Sequence, residues 1–462
     1  MGNAVFDFRA RVRPPAPVPI MTDWNSPTYP CGSTSPTATP TQPATTQPRA
    51  SVLHLINGEH FSGAERVQDL LALNLPRYGY RADFVCLKPG RFPDSRQSKT
   101  PLDSVPMRHS FDLTAVETVC RLVRDRGHSL LHAHTPRSLL VASRVALRCR
   151  IPLVYHVHSP VGRDSTRSFR NRVNTWVESW CLRRVAQMIC VSESLGRYMS
   201  DLGHRSERIS VVPNGVPIDP TAKPRRDSPE NWTLGTMALF RPRKGTEVLL
   251  EALALLQQRG RPVRLRAVGP FESPEYETEI HQLAQSLGVA PSITWTGFCE
   301  DVNSQLRQMD LFVLPSLFGE GLPMVVLEAM AQAVPVVASR VEGIPEAVRD
   351  GLDGAIFDPG SATDLADRIE RLIDAPQEWQ SCSRQALQRQ REKLSATSMA
   401  RGVAAVYDRV LQQAKARHAA RRIGIVCTSV DVSVAPPSVD SAASSTDRLI
   451  VCPKMDSARS IR

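Results

Sequence analysis

Short apolar runs alternate with helical stretches twice along this chain, and the double alternation predicts two parallel-sheet domains. In the first half, strand-like runs fall at 51–56, 82–87, 130–134, 153–157, 188–191 and 209–212, with a helix at 64–75 after the first of them. The second half restarts at 232–239. It continues as helix 246–259, strand 263–268, helix 276–287, strand 293–296, helix 302–308 and strand 311–315. Strand 334–339, helix 365–373 and a last amphipathic helix at 395–413 complete the pattern. The boundary lies near 213–226, where Pro213-Asn-Gly-Val-Pro217 and Asp219-Pro-Thr-Ala-Lys-Pro224 read as turn and linker. The first strand runs through Asn57-Gly-Glu-His-Phe-Ser-Gly63 into its helix, and strand, glycine loop and helix in that order open a Rossmann-like fold. No complete Gly-x-Gly-x-x-Gly is present, so a dinucleotide site is not predicted. A ligand is expected between the halves, at the carboxyl ends of both sheets.

Residues 318–331, Phe-Gly-Glu-Gly-Leu-Pro-Met-Val-Val-Leu-Glu-Ala-Met-Ala, carry the sharpest chemical signal. A strand leads into a Ser/Gly loop, and Pro323 then sits where a first helical turn tolerates proline. Free backbone N–H groups in the segment Gly321 to Met324, those of Gly321, Leu322 and Met324, would make the helix start an anion site. Glu320 and Glu328 flank it eight residues apart. At about 1.5 Å per helical residue that is about 12 Å at most, whereas a retaining glycosidase holds its two carboxyl groups about 5 Å apart. The carboxylates would bind two ends of one long ligand: sugar hydroxyls at Glu320, a diphosphate over the helix start, ribose hydroxyls at Glu328. The same spacing also fits an amphipathic surface helix with two incidental glutamates.

The 462 residues, 42% of them hydrophobic, suffice for two or three domains. Residues 1–50, crowded with Pro, Thr and Ser, and 421–462 are expected to be disordered tails. Ten cysteines without a Cys-x-x-Cys pair point to reduced thiols and a cytoplasmic setting. No apolar run approaches the roughly 20 residues of a membrane span, and no apolar signal core opens the chain. Met1-Gly-Asn-Ala-Val-Phe6 resembles an acylation site but carries Phe6 where Ser or Thr is needed. Net charge is +11, and the stretch 163–184 interleaves arginines with Phe169, Trp176 and Trp180. That pattern fits a peripheral contact with anionic membrane lipid, or a solvated helix with its aromatics turned to the core. No nucleic-acid-binding signature accompanies the charge, so nucleic acid is not an expected partner.

With Glu320 and Glu328 in the second of two Rossmann-like halves, residues 51–415 resemble the retaining GT-B glycosyltransferases of family 4. The motifs that carry the likeness occur in order: Phe61-Ser-Gly-Ala-Glu65, His132-Ala-His134, His156-Val-His-Ser159, Pro213-Asn-Gly-Val216, Arg243-Lys-Gly245, Thr296-Gly-Phe298, the stretch from Glu320 to Met330, Pro335-Val-Val-Ala-Ser339, Gly343-Ile-Pro-Glu346 and Gly354. The resemblance implies an acceptor-side domain over 51–215, a nucleotide-sugar domain over 216–395, and a helix at 396–420 packing back on the first domain. It assigns Lys244 and a nearby arginine to the diphosphate and leaving group. Arg241 is the first choice and Arg243 the second, since Phe240-Arg-Pro-Arg-Lys-Gly245 departs from the family's glycine-arginine spacing. Glu320 would hold sugar hydroxyls, Gly321 to Met324 would meet sugar and phosphate, and Glu328 would hold the ribose. His158 would bind the donor sugar or relay the acceptor proton. Gly63 would approach the donor, with Ser62 where the family more often has a second glycine. Gly297 and Phe298 would meet the base. His132, His134, His156 and His158 could make a zinc site by count, but no metal and no cofactor is expected. The implied function is retaining transfer of a sugar from a nucleotide-diphosphate donor to a lipid-linked, polysaccharide or other glycan acceptor, at the inner face of the plasma membrane. A GT-B epimerase or hydrolase, or a non-catalytic nucleotide-sugar-binding module, are the alternatives.

Overall fold

The structure, a computed structural model, describes residues 48–109, 112–159, 179–225, 227 and 231–428, with backbone alone for 420–428. The first half holds a seven-stranded sheet: β1 (Ala50–Ile56), β2 (Tyr80–Cys86), β3 (Leu102–Ser104), β4 (Leu130–Ala133), β5 (Leu153–Val157), β6 (Gln187–Cys190) and β7 (Ile209–Val211). The second holds six strands: β8 (Thr233–Met237), β9 (Arg264–Val268), β10 (Ile293–Trp295), β11 (Leu311–Leu314), β12 (Val336–Ser339) and β13 (Gly354–Phe357). All pairings within the sheets are parallel. The spatial orders are β3-β2-β1-β4-β5-β6-β7 and β10-β9-β8-β11-β12-β13. Both therefore contain the doubly wound 3-2-1-4-5-6 order, and each reverses direction once, between β1 and β4 and between β8 and β11. Ligands in such sheets bind outside the carboxyl ends of the strands at that reversal.

The central strands are mostly apolar because both faces of the sheets are covered, with the buried histidines of β1, β4 and β5 as the exceptions. β1, β11 and β12 are buried along their whole length. Side-chain caps start several of the covering helices. Thr135 accepts from Ser138 N at 3.2 Å with Pro136 at the first helical position, and Ser192 accepts from Leu195 N at 3.3 Å.

Helices Ala115–Asp125, Pro136–Cys149, Glu193–Asp201 and Pro376–Lys393, with strands β3 and β13, are absent from the sequence reading and complete the layers. The final helix runs Ala396–Thr428, past residue 420 into the segment expected to be tail, because Ala, Lys and Arg continue its helix-forming composition. Of the aromatics in the basic stretch, Trp180 lies against the core with Arg144 stacked 4.4 Å from its ring centre, so it is a core-edge residue. Phe169 and Trp176 lie outside the described residues, as does most of 1–50 and 429–462. Cys86, Cys120, Cys149, Cys190, Cys299 and Cys382 form no disulfide, and among the described residues no helix is long and apolar enough to cross a membrane.

The last helix packs on the first half. Tyr80 Oη donates to Asp408 at 2.7 Å, Tyr78 Oη to the Thr397 carbonyl at 3.1 Å, and Tyr407 is fully buried. The halves also meet across their loops. Glu346, from the second half, accepts from Glu193 N and Ser194 N at 2.5 and 2.7 Å and so caps a first-half helix where the dipole favours a carboxylate.

Candidate active site

The reversal point of the second sheet gathers charge. The loop after β8 tightens into a single 3₁₀ turn, Pro242–Lys244, and Gly245 follows with φ of +66°. Glycine is needed there twice over: the backbone is left-handed, and a Cβ would stand 2.1 Å from the Pro315 carbonyl oxygen. This approach presses Lys244 against the loop after β11. Lys244 Nζ donates to Glu320 Oε1, which also accepts from Ser316 Oγ at 2.7 Å and has Arg243 Nη1 at 4.0 Å. Arg243 Nη1 donates to the Gly319 carbonyl at 3.0 Å. Glu320 is buried, so its charge is met by these partners rather than by water. Its own amide donates to Glu342 Oε2, while Gly343 N donates to the Glu320 carbonyl at 3.3 Å. Glu342 holds a left-handed backbone, φ 41°, unusual for a side-chain-bearing residue and retained beside the site.

Arg241 does not reach this cluster. Its Nη1 lies 3.5 Å from Glu272, whereas Arg243 and Lys244 stand beside Glu320. The helix begins at Met324, with Pro323 extended at its cap position, one residue later than the sequence suggests. Gly321 lies against the first half: a Cβ there would stand 2.0 Å from the His158 carbonyl oxygen. Asn214 donates to the Leu322 carbonyl at 2.9 Å, and Gly63 faces Met324. Glu328, buried about one turn into that helix, receives Arg66 Nη2 from the first half. Burial raises its pKa, and the Arg66 charge and hydrogen bond offset part of that rise. Gly297 sits after β10 with φ of +64°, its carbonyl accepting from Gly269 N at 2.8 Å, and Phe298 beside it is 67% exposed.

The reversal point of the first sheet gathers imidazoles. Parallel register sets His54 opposite His132, and two-residue alternation puts His134, His156 and His158 on the same face. Neighbouring rings lie 4.1 to 5.6 Å apart, capped by Phe84 and Tyr407. Burial lowers every one of their pKa values, to about 3 for His54 and about 4 for His158, and well below the ordinary value for the other three. All are neutral at pH 7. Ligand atoms of His54, His132 and His134, and of His134, His156 and His158, lie within 4.8 Å of one another, close enough to hold a metal ion. Two-residue alternation along the strands is what brings these rings together.

Ser316, Glu342, Arg66 and His54 belong to the site and were not picked out from the sequence. Ser316 and Glu342 stand within or next to motifs that were, four residues before Glu320 and one before Gly343. Arg66 and His54 carried only proximity to the first glycine loop.

With that geometry in place, a sequence model described as Glycosyltransferase Family 4 matches residues 61–220, and one described as Glycosyl transferases group 1 matches 220–389. The chain is 28% identical over 354 residues to an MMP alpha-(1->4)-mannosyltransferase of Mycolicibacterium hassiacum, spanning 71% of this chain and 84% of that protein. It is 28% identical over 284 residues to a phosphatidyl-myo-inositol mannosyltransferase of Mycobacterium leprae, spanning 59% of this chain and 71% of that one. Among solved structures, HepE of Anabaena in complex with UDP-glucose superimposes with a TM-score of 0.68 at 25% identity, over 78% of this chain and all of HepE. Two matched halves meeting at the inter-sheet linker, the GT-B arrangement of the sheets and these relatives agree: the chain belongs to glycosyltransferase family 4 and is a glycosyltransferase.

Proposed function

We propose that the cleft transfers a sugar, with retention at the anomeric carbon, from a nucleotide-diphosphate sugar to a glycan or lipid-linked acceptor. The observation that carries this reading is Lys244 and Arg243 gathered on buried Glu320, whose neighbour Gly321 abuts the His158 carbonyl. Two cations held by one carboxylate can exchange it for a diphosphate. As the bond from the anomeric carbon to the phosphate oxygen breaks, negative charge grows on the leaving group, and cations fixed there stabilise it without reorganising. Glu320, released, accepts hydrogen bonds from the sugar hydroxyls. Arg66 swings off Glu328 in the same way, leaving that carboxylate for the ribose hydroxyls. The acceptor hydroxyl attacks the face the leaving group departs from and passes its proton to the departing phosphate oxygen. His158, with its pKa near 4, is too weak a base to hold that proton at pH 7 and acts as a neutral hydrogen-bonding partner of a sugar hydroxyl. In this reading cationic side chains supply the charge, so no metal is required. The relatives named as mannosyltransferases and the HepE complex with UDP-glucose support a hexose donor. The test is product analysis with a panel of nucleotide sugars: nucleoside diphosphate released with a glycosylated acceptor supports transfer, and free sugar or an epimer alone refutes it in favour of a hydrolase or epimerase.

A further inference from the structure

Tyr407 and four of the buried imidazoles form a single file. Tyr407 Oη lies 2.6 Å from His132 Nδ1 and 3.3 Å from His54 Nε2. His54 Nδ1 is 3.0 Å from His134 Nε2, and His134 Nδ1 is 3.2 Å from His158 Nε2. Each link needs one donor and one bare lone pair, and a neutral imidazole has one of each. A choice made at one end therefore fixes every choice down the file. Hydrogen bonds donated by O–H are shorter than those donated by N–H. The 2.6 Å contact is accordingly the hydroxyl donating to His132, and the 3.3 Å contact is His54 Nε2–H donating to the hydroxyl oxygen. His134 Nε2–H then donates to His54, and His158 Nε2–H to His134, which leaves the lone pair of His158 on Nδ1.

We propose that Tyr407, on the last helix, is a positioning residue for sugar transfer, fixing His158 through His54 and His134 as the Nε2–H tautomer with Nδ1 as hydrogen-bond acceptor for a substrate hydroxyl. The tautomer is a property of the file alone, while its effect on turnover rests on the reading of His158 given above. The file also decides between two uses of the same lone pairs. His134 belongs to both histidine sets that could ligate a metal, yet both of its nitrogens are engaged within the file, so metal and file exclude one another. Tyr80 packs edge-on against Tyr407 with ring centres 5.1 Å apart, so a phenylalanine at 407 keeps its packing and loses only the hydroxyl.

The experiment is imidazole ¹⁵N NMR of the whole chain, with wild type, Tyr407→Phe and His54→Phe compared, alongside donor kinetics. Wild type is expected to show a protonated Nε2 and bare Nδ1 at His158. Both variants should shift His158 toward a tautomer mixture and lower kcat about tenfold, with donor KM held within about twofold. Because both cut one file, the double variant should be no slower than the slower single variant. His54→Phe keeps the test alive if Tyr407→Phe folds poorly. A His158 ring protonated on Nδ1 in wild type, unchanged His158 shifts in both variants, multiplying kinetic effects, or stoichiometric zinc bound by these rings would each overturn the proposal. A shifted tautomer with unchanged turnover would uphold the file and count instead against the role of His158 in transfer.

Discussion

The two sheets share one strand order and put opposite chemistry at the point where it reverses. In the second half the loops after β8 and β11 bring Lys244, Arg243 and Glu320 together, each charge answered by a fixed partner. In the first half β1, β4 and β5 deliver five imidazoles that burial keeps neutral. One topology thus serves two tasks. A crevice lined by exchangeable ion pairs suits a ligand group that carries charge, and one lined by neutral donors and acceptors suits hydroxyl groups, which need hydrogen bonds without a net field.

The contrast breaks most sharply at Lys244. Lys244→Ala should lower kcat by about 10²–10³, the usual loss for one group aimed at developing charge, and weaken nucleoside diphosphate binding more than Glu320→Ala does. Equal nucleotide affinity in Lys244→Ala and wild type by calorimetry would remove the phosphate role from this turn.

The imidazole side breaks with acid. In the unfolded chain these histidines titrate near 6.5, while in the fold His158 titrates near 4 and His54 near 3. Below pH 6.5 the unfolded state binds protons that the fold refuses, so stability must fall as pH drops through 6.5 and continue falling toward 4. Each histidine still neutral removes about 1.4 kcal/mol per pH unit. Melting temperature against pH should show a steep acid limb, flattened in His156→Phe, which removes one of these groups.

At Glu328 the sign is reversed. Its pKa is raised by burial, so the protonated form is favoured in the fold and stability is lost as pH rises from the unfolded value near 4.5 through the folded one. Glu328→Gln should therefore melt higher than wild type at pH 7–8, with the gain vanishing below pH 4.5. It should also weaken binding of ribonucleotides relative to their 2′,3′-dideoxy forms, a trade of function for stability. An unchanged melting point at pH 8 would mean that Arg66 fully compensates the buried charge.

The smallest effect concerns the basic stretch 163–184. We expect the arginine-rich stretch 163–184 to bring the enzyme to vesicles containing anionic lipid in flotation, with loss of binding as salt screens the attraction. Salt-insensitive absence of binding would leave that stretch without a membrane role.

Much of this contrast was legible in the chain. Strands such as Leu311–Leu314 and Val336–Ser339 announce themselves because burial on both faces demands continuous apolar runs. Glu320, Glu328 and Lys244 sit in local patterns where a helix start or tight turn fixes their surroundings. The partners from afar were not legible. Arg66 meets Glu328 across 262 residues and Tyr407 meets His132 across 275, and no local period encodes such contacts. Helix Pro376–Lys393 escaped because it is polar along most of its length and buries only a narrow stripe of residues including Trp379 and Leu387. That Arg243 and not Arg241 stands beside Glu320 follows from one 3₁₀ turn, held where Gly245 meets the Pro315 carbonyl.

The most direct test of the account is the anomeric configuration of the product. Incubated with its nucleotide-sugar donor and a glycan or lipid-linked acceptor, the enzyme should release one nucleoside diphosphate per glycosidic bond, and proton NMR of the new linkage should show the configuration of the donor. An inverted linkage, or nucleotide release that yields only free sugar, would contradict it.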